Sequence, residues 1–185
     1  MDLRETQRIL HTALEGGEEE VGTLLERLRP RLVLWCASRM SNTLRANCDP
    51  EDAAQDILLA IHKDFRTFHG QGDRAFFGWL FTVAENKLRD LADYYGAKKR
   101  QRVDPVSFSQ TSPSQAAARV EMVSRLEEAI ASLPEDHRLV IQLYKLEGRE
   151  TQEIAQVMGR TENAIRLLVF RSLKELRKAL DGKPP

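Results

Sequence analysis

The chain has 185 residues, 42% hydrophobic and 30% charged, with 28 basic residues balanced by 28 acidic ones. That length buries one sizeable core or two small ones, and a net charge of zero argues against a bulk polyelectrolyte binder while leaving room for a local basic patch. No apolar run approaches the ~20 residues of a membrane span, and MDLRETQRIL has no signal-peptide core, so a cytoplasmic location with no membrane insertion is expected.

Strand signals are nearly absent and helical spacing dominates. Residues 2–15 read as a short helix stopped by Gly16-Gly17. Residues 18–40 carry Val21, Leu24, Leu25, Leu28, Leu32 and Trp35, mostly three or four apart. Pro30 inside this run predicts a kink or a break. Asp49-Pro50-Glu51-Asp52 is a helix start: a capping Asp, a Pro in the first turn and acids at the positive end of the dipole. The helix it opens strings Ala54, Ile57, Leu58, Ile61, Phe65 and Phe68 along one stripe. His69–Asp73 reads as a loop, with two glycines for unusual dihedrals. A second apolar helix follows from about Arg74 to Tyr95, carrying Phe76, Phe77, Trp79, Leu80, Val83, Leu88 and Leu91.

The composition then changes. Residues 97–119 hold Lys98, Lys99, Arg100 and Arg102, then Pro105, Pro113 and a Ser/Gln/Thr-rich stretch, which reads as a flexible linker. Helical pattern resumes at Ala116 and continues to Leu180. Cys36 and Cys48 form no CxxC pattern, and His11, His62, His69 and His137 are scattered. Neither a metal nor a cofactor is expected. A regulatory disulfide and two reduced, partly buried thiols both fit the spacing.

Thr151–Phe170, TQEIAQVMGRTENAIRLLVF, has the pattern of a helix-turn-helix. Two helices crossing steeply need a small residue at their contact, and Ala155 supplies it. The turn needs a positive φ, and Gly159 supplies that. Ile154, Met158, Ile165 and Leu168 are spaced to fill the interior. Thr161 suits the N-cap of the second helix, whose outward positions are Glu162, Asn163, Arg166, Leu167, Phe170 and Arg171. Such a helix enters the major groove with its first turns facing base edges. From Arg160 to Pro185 seven basic residues face three acidic ones, so this end is locally positive. The bland reading is an ordinary helical hairpin with a solvated basic face.

With these stretches in view, the chain resembles a bacterial RNA polymerase sigma factor of the extracytoplasmic-function group of the sigma-70 family. DPEDAAQDILLAIHKDF and FHGQGDRAFFGWLFTVAEN, within Asp49–Asn86, resemble the family's second conserved region. LPEDHRLVIQLYKLEGRETQEIAQVMGRTENAIRLLVFRSLKELRKAL, within Leu126–Leu180, resembles the fourth. The resemblance implies an all-α protein of two small helical domains: residues 1–96 binding polymerase and the minus-ten element, a linker at 97–119, and a helix-turn-helix domain at 120–181 binding the minus-thirty-five element. It implies core RNA polymerase, promoter DNA and an anti-sigma factor as partners, and no catalysis by the chain itself.

The implied roles fall on named residues. Glu51, Asp52, Gln55 and Asp56 match the helix that docks on the polymerase clamp; acids serving the helix dipole are the plainer account of the same residues. His69, Gly70, Gln71, Gly72 and Asp73 match the loop that captures an unpaired base, with Phe77, Asn86 and Lys87 beside it. Aromatics next to basic residues suit single strands, although Phe76, Trp79 and Leu80 read as core. Thr161, Glu162, Asn163, Arg166, Leu167, Phe170, Arg171 and Lys174 match the duplex-reading helix. Thr82 and Glu85 depart from the family, standing where relatives often carry basic residues, and Phe77 stands where Arg is common. An acid facing phosphate weakens contact, so weaker or altered minus-ten recognition is implied. Two other readings compete. A LuxR-like regulator shares the C-terminal domain but requires strands in its first half. A helical adaptor predicts no basic bias after Arg160.

Overall fold

The computed structural model describes residues 3–16, 18–70, 72–98 and 115–182, with side chains described at 8–16, 18–70, 72–97 and 121–182. Among these residues there are helices and turns and no strand, which leaves no receiver-like or ligand-binding sheet for the LuxR-like reading. The chain divides into two compact units, residues 1–105 and 106–185.

The first unit comprises α1 (Leu3–Glu15), α2 (Glu18–Arg39), α3 (Asn42–Arg45), α4 (Pro50–Asp64) with a 3-10 turn at Phe65–Thr67, and α5 (Gly72–Lys98). Helix α2 lies at its centre, packed on α4 and α1, while α5 covers α4. Seven consecutive residues of α2, Arg31 to Ala37, are buried, so this half of the helix is enclosed on all sides.

The break expected at Pro30 does not occur: α2 runs through it. Proline removes one helical hydrogen bond and clashes with the preceding turn, a cost of ~3 kcal/mol. Leu24 and Leu28 before it and Leu32 and Trp35 after it are essentially fully buried. Each buried side chain of this size contributes ~1.5–3 kcal/mol, so packing outweighs the proline penalty.

Asp49 caps α4, its side chain accepting from the Glu51 N–H at 2.8 Å. Cys36 and Cys48 are free and buried. Burial, with a smaller contribution from Cys48, pushes the Cys36 thiol up to about 12. Burial and then Asp52, Asp56 and Asp49 push Cys48 up to about 11. Thiols held protonated in this way are poor nucleophiles.

The second unit comprises α6 (Gln115–Ala131), α7 (Glu135–Ile141) with a π-helical turn at Gln142–Leu146, α8 (Thr151–Met158) and α9 (Glu162–Leu180). Helix α9 is its spine and packs on α6, α7 and α8. The expected linker is shortened from both sides, because α5 reaches Lys98 and α6 begins at Gln115. The rest of that stretch, including Lys99, Arg100, Arg102, Pro105 and Pro113, lies outside the described residues.

Candidate functional site

Helices α8 and α9 enclose an interior of Val140, Leu143, Ile154, Ala155, Ile165, Leu168 and Val169, with Met158 packed at its edge. Helix α8 starts where the Glu153 carboxylate accepts from the Glu150 N–H at 3.1 Å. It ends at Gly159, whose φ of 62° lies in the left-handed region. A side chain there would be strained even in open space. One residue later the Arg160 N–H donates to the Ala155 carbonyl at 3.0 Å. Thr161 Oγ1 accepts from the Ala164 N–H at 3.3 Å and starts α9. The Thr161 hydroxyl is thereby committed to the cap.

Outward from this frame, α9 exposes Asn163, Arg166, Leu167, Phe170, Arg171 and Lys174. Glu162 behaves differently. Its carboxylate accepts from Thr151 Oγ1 at 2.8 Å and from the Arg166 guanidinium at 2.7 Å. The Thr151 hydrogen bond first, and the Arg166 hydrogen bond second, hold this carboxyl below its ordinary range. Glu162 thus ties α9 to the start of α8 and holds Arg166 over the first turn. Arg160 is engaged as well, in an ion pair with Asp136 of α7. Arg171 and Lys174 are exposed on this face, Arg177 and Lys178 are exposed farther along α9, and Arg166 is held by its acid.

In the first unit the expected loop is shorter, since α5 already begins at Gly72, with φ of 74°. Asp73 falls in the first helical turn, where an acid suits the dipole. Gln71 lies outside the described residues. His69 is exposed and Gly70 half-buried. A Cβ on Gly70 would stand 2.6 Å from the Phe68 ring and 2.9 Å from the Ala75 Cβ. Phe68 packs on Trp79 at 5.3 Å and on Phe76 at 5.7 Å between ring centroids. Ala75 is fixed by its helix. Gly70 is therefore small because the loop closes on an aromatic cluster. Gly70→Ala is expected to lower the stability of this unit by ~1–3 kcal/mol through overpacking. Denaturant unfolding checks this; an unchanged midpoint would mean the cluster yields freely.

Two assignments in α5 are corrected. Phe77, expected to face DNA, is 8% exposed, and the Arg31 guanidinium covers its ring at 4.2 Å from the centroid. No base can stack there while this packing persists. Trp79, expected in the core with Phe76 and Leu80, is half-exposed instead. Asn86 is exposed and Lys87 half-buried, but they lie ~20 Å along α5 from Gly72 at 1.5 Å per residue. One captured base does not reach both groups. Glu85, the departure from the family pattern, is neutralised by Arg39 at 2.9 Å.

On α4, Glu51, Asp52 and Gln55 are exposed and Asp56 half-buried. Steps of 100° put Asp52, Gln55, Asp56 and Leu59 on one side of the helix. Leu59, 62% exposed, escaped the sequence reading, although an apolar residue off the buried stripe was the available signal. Arg29 of α2 also joins this edge, donating to Gln55 Oε1 at 3.3 Å and paired with Glu26 at 2.8 Å. The Asp52 carboxyl is pushed up, by partial burial first and then by Asp49 and Asp56. Mutually repelling acids at an exposed edge favour a cationic partner. Among the described residues no group of three or more His, Cys, Asp or Glu is placed to hold a metal, and no helix is long and apolar enough to cross a membrane.

Comparison with known proteins adds an independent observation. Residues 24–101 match the family model of sigma-70 region 2, and residues 124–176 match that of sigma-70 region 4. The chain is 27% identical over 175 residues to the ECF RNA polymerase sigma factor SigD of Mycobacterium tuberculosis, covering 91% of this chain and 81% of that one. It is 27% identical over 189 residues to the ECF RNA polymerase sigma-E factor of Escherichia coli, covering 96% and 94%. Among solved structures, CnrH in complex with the cytosolic domain of CnrY aligns over 97% of this chain and 99% of that one, with a TM-score of 0.46 and 25% identity.

Proposed function

The chain belongs to the extracytoplasmic-function group of the sigma-70 family, and on that premise we propose that it joins core RNA polymerase and directs initiation at a two-part promoter. Helix α4 docks on polymerase through Asp52, Gln55 and Asp56, with Glu51 at the rim. Helix α9 reads the minus-thirty-five element as duplex. The segment His69–Asp73 and the exposed side of α5 hold the unpaired minus-ten strand, so melting is favoured by binding the melted state. The chain performs no bond-making step; the polymerase does. It works in the cytoplasm, where polymerase and promoter are, and an anti-sigma factor that covers these faces completes the set of partners.

The observation that carries this reading is the exposed, basic outer face of α9, with Asn163, Arg166, Arg171 and Lys174 turned away from a closed helix-turn-helix interior. An adaptor without a nucleic-acid role has no use for that bias. The deciding experiment is capture of core RNA polymerase by the full chain, followed by transcription from genomic fragments. Failure to capture polymerase would remove the proposal.

Within this proposal Arg166 is the specific base reader. Its guanidinium, held by Glu162, is oriented before DNA arrives, and a bidentate contact to guanine discriminates by ~1–3 kcal/mol. Arg166→Ala is expected to weaken minus-thirty-five binding by that amount and to relax one base position. Holoenzyme affinity for promoters varied at each base of the element measures it. An unchanged preference at every position would exclude Arg166 from readout.

A further inference from the structure

We propose that a cavity in the first unit binds a small amphiphilic anion, a carboxylate or phosphate ester carried on a short apolar chain. The site is independent of the polymerase and DNA roles proposed above. It lies between the α1–α2 junction and the C-terminal end of α4, and encloses about 420 Å³. Sites for small ligands span ~300–1,000 Å³ and combine an apolar lining with a few polar groups. Here Leu14, Val21, Phe65 and Phe68 supply the apolar part. Val21 and Phe65 are buried, Phe68 is half-buried, and Leu14 is 38% exposed. A ligand chain laid over Leu14 and Phe68 removes their apolar surface from water.

Charge fixes the other end of the ligand. Lys63 and Arg66 are exposed at the rim, with half-buried His62 beside them. Among the described residues neither Lys63 nor Arg66 is ion-paired. At 100° per residue, His62 and Lys63 continue the outward side of α4 past Gln55 and Leu59. That side turns from acidic at Asp52 and Asp56 to basic at Lys63, and the basic end lines the cavity. Cations in the last turn also suit the helix dipole, but the dipole does not call for an apolar hollow beside them. On the α2 wall stands Glu18, exposed and likewise outside any ion pair among the described residues. Two cations against one carboxylate favour an anion, and Glu18 turns its charged head towards α4. A neutral chain would leave Lys63 and Arg66 without a partner, and an anion with no chain would leave Leu14 and Phe68 wet.

The test titrates the full chain with decanoate below micelle formation, followed by calorimetry and by tryptophan fluorescence. Phe68 lies 5.3 Å from Trp79 between ring centroids, so Trp79 senses filling of the cavity. Saturable binding of a single decanoate per chain is expected, with decanol, which lacks the charge, weaker by about tenfold. Lys63→Gln combined with Arg66→Gln should weaken decanoate by about tenfold, the loss of one charge-assisted hydrogen bond. Glu18→Gln should tighten it by about twofold, the scale of one exposed charge pair. Leu14→Asp sets a carboxylate among the apolar groups and should abolish binding. All four positions are exposed, and unfolding of each variant confirms its fold. No saturable binding, equal binding of decanol, or an affinity unchanged in the double glutamine variant overturns the site. Retention of the chain on phosphatidylglycerol vesicles without a response to monomeric decanoate assigns the cavity to a membrane surface and overturns the free ligand as its occupant.

Discussion

Asp52→Arg combined with Asp56→Arg is expected to lower affinity for core RNA polymerase at least a hundredfold while leaving both units folded. The two carboxylates lie on one side of α4 with Gln55 and Leu59. Asp52 is already disfavoured as an anion by partial burial and by Asp49 and Asp56. A cationic partner relieves that repulsion, and two arginines replace relief by new repulsion. Like charges juxtaposed across an interface cost several kcal/mol, and ~2.8 kcal/mol is a hundredfold. Stability should change by only ~1 kcal/mol. Two cations near the start of α4 oppose its dipole, whereas losing two of three clustered acids acts the other way. Asp52→Asn with Asp56→Asn removes charge without reversing it and should weaken binding less. The measurements are polymerase affinity and, on the same preparations, denaturant unfolding. Wild-type affinity in the arginine variant would place the docking surface elsewhere.

Deleting Ser107–Ser114 is expected to abolish promoter opening while polymerase capture survives. Helix α5 ends at Lys98 and α6 begins at Gln115. At ~3.3–3.6 Å per residue the chain between them spans at most ~55–60 Å. The two promoter elements implied by the family lie somewhat under two duplex turns apart, each ~34 Å. The reach is close to what simultaneous engagement needs, with the breadth of each unit supplying the remainder. The deletion cuts the span to ~30 Å, below one duplex turn. Each unit keeps its own target, but the second contact no longer benefits from a high effective concentration. Open-complex formation at a strong promoter, compared with core binding, reads the loss. Promoter opening at the parental rate would show that the tether has no minimum length in this range.

Much of this arrangement was legible before any coordinates. The cap at Asp49, the Pro at the first position of α4, the left-handed Gly159 and the Thr161 cap all appear where the pattern of residues placed them. So does the closed interior of Ile154, Ala155, Ile165 and Leu168. The ends of α5 are less legible. Gly72 looked like loop because glycine disfavours helix interiors, yet it stands at the helix entry with a positive φ. The start of α6 at Gln115 lies within one residue of Ala116, where helical pattern resumes in the sequence.

What the sequence by itself determined was therefore local: helix starts, helix stops, the helix-turn-helix and its outward face. These signals act between residues within about four positions of each other, through capping hydrogen bonds, backbone dihedrals and the 3.6-residue period. What the tertiary structure alone decided depends on partners far apart in the chain. Arg31 of α2 covers the ring of Phe77 of α5, which is buried. Arg39 neutralises Glu85, 46 residues on. Thr151 and Arg166 both donate to Glu162, so this carboxylate joins α9 to the start of α8 and fixes the Arg166 guanidinium. Pro30 leaves α2 unbroken because Leu24, Leu28, Leu32 and Trp35 on either side of it are buried in one core. Local preference is worth at most ~3 kcal/mol at a single residue, and burial shared among several helices exceeds it.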